Sequence, residues 1–163
     1  MNDATQHQLA ADVARDLVSQ VAPEEMPLFR ATSEAYFKDP QQVLKEHMGK
    51  DDMLGFGTGE VMSLVTPVAV AVSVEVIRFV TEEVTTSFKA ESAVVIAALV
   101  KSLFKKYRPI LEREAKPTSS PLTPEQLREV HAIALTKARQ LKLSEAKAKT
   151  LADALVGDLV VAG

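Results

Sequence analysis

The chain has 163 residues, a mass of 17.7 kDa and a formal net charge of −3 at pH 7, enough for one domain, or one with an appendage, whose core needs no covalent staple. Cysteine and tryptophan are absent and aromatic residues make up 5%, which excludes disulfides, thiolate metal sites and a cysteine nucleophile and leaves the core to Val, Leu and Ala. Charge is uneven: residues 1–60 hold 11 acidic against 5 basic groups, and residues 101–122 hold 6 basic against 2 acidic, so an acidic front and a basic middle can meet each other, a neighbouring copy or an anionic surface.

The first residues show neither a positive n-region nor an uninterrupted apolar stretch, so the expected compartment is the cytoplasm. Leu9, Ala10, Val13, Leu17 and Val21 recur at helical spacing and predict an amphipathic helix of about five turns. The "APEE" that follows stops it, and Pro23 opens a second helix through "MPLFRATSEAYF". In "KDPQQVLKEHM", Asp39 is a natural N-cap and Pro40 a first-turn residue, predicting a short third helix.

"GKDDMLGFGTG", residues 49–59, holds four of the six glycines and reads as a loop. Beyond it, "TPVAVAVSVEVIRFV" places valine at 68, 70, 72, 74 and 76, the alternation of a half-buried strand. A strand needs a partner for its N–H and C=O groups, and no second strand pattern is present. A helix over 60–88 is predicted instead. Its eight valines between 61 and 80 cost about 4 kcal/mol in helix propensity, while burying them returns on the order of 12 kcal/mol. Such a helix forms only when packed. Glu75, Arg78 and Glu82 lie at spacings that allow them to pair. Thr66-Pro67 is read either as an N-cap with a first-turn proline or as a kink.

A second apolar helix, 91–108, carries Ile96, Leu99, Val100, Leu103, Phe104 and Tyr107 on its expected core side. The segment 117–122 is read as a linker. Thr123, Pro124 and Gln126 then form a capping-box signature, with Leu122 and Leu127 as its hydrophobic staple. Ser144 caps a last helix, so 123–163 reads as a helical hairpin.

The resulting expectation is an all-α fold, a bundle of five to seven helices spanning 1–116 around the central apolar pair 60–88 and 91–108, with the C-terminal hairpin as a semi-independent lobe. "GFGTGE" lacks the third-glycine spacing of a dinucleotide fingerprint and the Lys-Ser/Thr ending of a phosphate loop, and reads as a flexible helix entry. His7, His47 and His131 stand far apart and are expected to be surface or partly buried side chains rather than ligands. No metal, cofactor or catalytic residue is expected. The hairpin's last helix offers Glu145, Ala146 and Ala148 where a DNA-reading helix would offer Arg, Asn or Gln, so nucleic acid is not an expected partner.

The expected function is therefore a non-catalytic interaction or assembly module, with a protein partner or a second copy bound through Val68, Val72, Val76, Phe79, Leu99 and Leu103. The competing expectation is a membrane-active effector that inserts 60–108, with Lys101, Lys105, Lys106 and Arg108 meeting an anionic surface. Glu75 and Arg78 weigh against insertion, since charges within a bilayer are costly.

Overall fold

The computed structural model describes residues 1–49, 64–88, 92–104 and 122–159. Among them 88% are helical, in seven α-helices with no strand. One isolated antiparallel bridge joins Phe104 to Leu159, where the fifth and seventh helices run out.

Helix α1, Asp3–Val21, begins where the Asn2 side chain accepts the Thr5 N–H at 2.8 Å, an N-cap that satisfies an otherwise orphaned donor. It buries Leu9, Ala10, Val13, Ala14, Leu17 and Val18, the predicted stripe widened by Ala14 and Val18, while Val21 at its end is only partly buried. A short 3-10 turn, Pro23–Glu25, leads into α2, Met26–Lys38, which accommodates Pro27 in its first turn where no backbone donor is needed. Helix α3, Pro40–Gly49, starts as expected, with the Gln42 N–H donating to the Asp39 carboxylate at 3.0 Å.

Helix α4, Val65–Phe88, resolves the valine-rich stretch as helix. Val65, Val68, Val70, Val72, Val76 and Val80 are fully enclosed, because α1, α2, α3, α5 and α6 all pack against this one helix. That enclosure recovers the propensity its valines forfeit. The expected ladder through Arg78 is replaced by an ion pair across the bundle: Glu75 lies 3.9 Å from Lys137 on the sixth helix.

Helix α5, Ala93–Ser102, is short and peripheral. It buries Ile96 and Val100 and leads into buried Leu103 and Phe104, while its other side faces outward. The expected central pair is thus one central helix, α4, with α5 at its edge.

Helices α6, Pro124–Gln140, and α7, Glu145–Asp158, form the C-terminal hairpin. The capping box is complete: Gln126 N–H donates to Thr123 Oγ1 at 3.2 Å and Thr123 N–H donates to Gln126 Oε1 at 2.9 Å. The staple residues Leu122 and Leu127 are both buried, so Leu122 belongs to the core rather than to a linker; residues 117–121 lie outside the described residues. The hairpin turn is a Schellman motif: Leu143 N–H reaches Ala138 O and Lys142 N–H reaches Arg139 O, each at 3.0 Å, with Lys142 at φ 61°. The expected semi-independence of this lobe is not what packs here. Helix α6 lies on α4 and α7 on α1, and Val130, Ala134, Leu151 and Leu155 join the same core as α1 and α4.

Candidate interaction surface

Val68, Val72 and Val76, expected to meet a partner, are completely buried inside one copy. Their helix is the one every neighbour covers, so nothing of their surface remains for association. Leu103 is buried with them, and Phe79 and Leu99 are partly buried against the same core. The apolar surface left over lies elsewhere.

It lies on α5. The segment "AVVIAALV" is apolar at every position, so it supplies a core face and an outer face of the same chemistry. Ile96 and Val100 take the core side, which turns Val94 and Val95 outward with 78% and 48% of their surface exposed. Ala98 and Lys101 are exposed on the same side. Val94, Ala98 and Lys101 follow i, i+4, i+7 and form one stripe. Ala93, Val94, Ala97 and Ala98 border a trough of about 380 Å³ against Asn2 and Thr5 of α1. Lys101 is thus the one residue of the proposed basic cluster with a described position; Lys105, Lys106 and Arg108 lie outside the described residues.

A buried carboxylate, unforeseen from the sequence, positions the centre of the molecule. Glu25, 6% exposed, accepts the Val65 N–H at 2.7 Å on Oε1, and the Thr66 N–H at 2.8 Å and the Thr66 hydroxyl at 2.6 Å on Oε2. Pro67, next in line, has no N–H to satisfy. The first turn of α4 is therefore capped from 40 residues away rather than by Thr66 as an N-cap, and the helix dipole favours an acidic group there. The signal in the sequence was negative: Leu64 precedes Val65, so α4 has no local polar cap and needs an acceptor from another element.

The three histidines are placed singly. His7 stacks on Phe37 with ring centroids 4.7 Å apart, His47 lies 3.1 Å from the Leu141 carbonyl, and His131 lies 2.8 Å from Asp153, clipping α6 to α7. No group of three His, Cys, Asp or Glu side chains capable of holding a metal ion occurs among the described residues. A groove of about 570 Å³ between α1 and α2 is lined by His7, Asp12, Arg15, Phe29, Arg30 and Glu34. Its charges are mixed, and Arg30 is occupied by Glu34 at 2.9 Å.

Two electrostatic shifts mark the surroundings. Burial pushes the Tyr36 phenol above its ordinary value, Glu75 adds to this and Arg78 opposes it. The Glu145 carboxyl is held below its ordinary value by its hydrogen bonds from Arg139, which join the end of α6 to the start of α7. Among the described residues no helix is long and apolar enough to cross a membrane. No protein-family model, curated protein or solved structure matches the chain.

Proposed function

We propose that this protein is a non-catalytic helical assembly module whose copies associate through the outer face of α5. The observation that carries the reading is the pair Val94 and Val95, turned to solvent on the most apolar helix described. Single exposed apolar residues are ordinary on a protein surface. Two adjacent ones, on a helix whose first charge is Lys101, form a small contiguous apolar patch, and it is this patch that favours a contact site here.

The magnitude sets the strength of the contact. Burying the exposed portions of two valines contributes about 2 kcal/mol, whereas association costs on the order of 4 kcal/mol or more in lost freedom. The two valines alone therefore do not hold two copies together, and association requires further burial along the α5 stripe and the surface that receives it. This reading is favoured over bilayer insertion of 60–108, which would have to draw α4 and its enclosed valines out of the bundle centre.

Sedimentation equilibrium from ~10 μM to ~1 mM tests the proposal across the range where weak interfaces populate. The weight-average mass should climb above 17.7 kDa with concentration. A Val94→Glu/Val95→Glu variant should stay at the single-copy mass with an unchanged melting temperature. A wild-type mass that stays at one copy throughout would sink the reading. Dye release from anionic vesicles without any mass increase would favour insertion instead.

A further inference from the structure

We propose that the α5 stripe of one copy seats in the groove between α4 and α6 of a second copy. The inference rests on the self-association reading above and names the surface that receives α5. The groove, about 410 Å³, is lined by Glu75, Glu129, Ala132, Ile133, Thr136 and Lys137. Its lining carries two carboxylates and Lys137, a net negative charge opposite a stripe whose only charge is Lys101.

The two surfaces match in length, and each offers one open charge of opposite sign. On α5, Val94, Ala97, Ala98 and Lys101 run i, i+3, i+4, i+7; on α6, Glu129, Ala132, Ile133 and Thr136 run the same four offsets. Each stripe is about 10 Å long. Laid antiparallel, Lys101 meets Glu129, Ala97 and Ala98 meet Ala132 and Ile133, and Val94 meets Thr136. Alanine at the middle of both stripes lets two helices approach to about 8 Å. Glu129 and Lys101 are exposed, and neither has an ion-pair partner among the described residues. Glu75 shares its carboxylate with Lys137 at 3.9 Å, which leaves Glu129 as the open acceptor at the groove rim.

Self-pairing of α5 lacks this complementarity. An antiparallel α5 pair would set each Lys101 against the partner's Val94, and a parallel pair would set lysine against lysine, which like-charge repulsion disfavours.

Because the chain has no cysteine, single-cysteine variants report the pairing directly. Ala98→Cys and Ala132→Cys both replace exposed residues, and each is treated with a short bis-maleimide at a concentration where wild type self-associates. The expected result is a cross-linked pair from the mixture of the two variants and none from either alone. Adding Lys101→Glu to the first variant should cut the yield by roughly tenfold, and adding Glu129→Lys to the second should restore it, as reversal and re-matching of a charge pair demand. Cross-linking of Ala98→Cys to itself would overturn the α5-to-α6 docking and leave self-association standing. No cross-link from the mixture, with a raised mass in the ultracentrifuge, would overturn it in the same way. A single-copy mass under these conditions would remove both readings.

Discussion

Replacing Glu25 by glutamine tests the most specific long-range tie in the fold. Glutamine fills the same space but keeps one acceptor oxygen and puts an NH₂ group where the second oxygen stood. The three donors that converge on the carboxylate, Val65 N–H, Thr66 N–H and the Thr66 hydroxyl, then cannot all be satisfied. If the amide oxygen stays with Thr66, the Val65 N–H faces another donor in a site with little water. An orphaned buried donor costs about 2 kcal/mol, and turning two charge-assisted hydrogen bonds into neutral ones removes about 1 kcal/mol more. The expected destabilisation is about 3 kcal/mol, which for a chain of this size lowers Tm by roughly 6–12 °C. Helicity at 222 nm followed through a thermal or urea transition measures it. Glu24→Gln, at the adjacent exposed position, is the control and should stay within about 0.5 kcal/mol of wild type. A Glu25→Gln variant within 1 kcal/mol of wild type would refute the capping argument.

Lys142→Gly should stabilise the protein by about 0.5–1 kcal/mol in urea denaturation, because φ 61° costs a lysine about 1–2 kcal/mol and glycine returns part of that gain as unfolded-chain entropy. Val72→Ala, in the enclosed centre of α4, should cost about 2–3 kcal/mol in the same assay, from lost transfer energy and the cavity left behind. Tyr36 gives a pH dependence with a definite sign. Its phenol is raised in the folded state above the ordinary 10.0, so above that pH the unfolded chain loses the proton first and stability falls as pH rises. Urea denaturation at pH 9 and pH 11 should show wild type losing more stability than Tyr36→Phe over that interval.

Much of this architecture is written locally. The caps at Asp39, Thr123 and Ser144 each bond a backbone N–H three residues on, and Asp39 and Thr123 have a proline beside them, so short-range chemistry decides where those helices start. The helical reading of 60–88, whose residues before 64 lie outside the described ones, followed from the lack of a partner for a strand, and the enclosure of α4 supplies its reason. What remained hidden depends on tertiary position. Periodicity marked both segments as apolar helices and gave 91–108 a core side, and nothing within either segment says that only α4 is surrounded. The interaction surface was accordingly placed on Val68, Val72 and Val76, which the bundle consumes, while Val94 and Val95 lie in a run with no polar residue to identify its outer side. Glu25 capping α4 had no local signature because donor and acceptor are 40 residues apart. The turn at Lys142 carried no glycine to announce its left-handed backbone.

Amide hydrogen exchange of the full chain, at ~20 μM and again near 1 mM, tests the central claim that α4 is the sealed interior and α5 the outward contact. Amides from Val68 to Val80 should be the slowest in the molecule at both concentrations, since their opening requires global unfolding. Amides from Val94 to Lys101 should gain protection as concentration rises, together with those near Glu129 to Thr136. Exchange in α4 as fast as in α5, or an α5 whose protection is the same at both concentrations, would contradict the account.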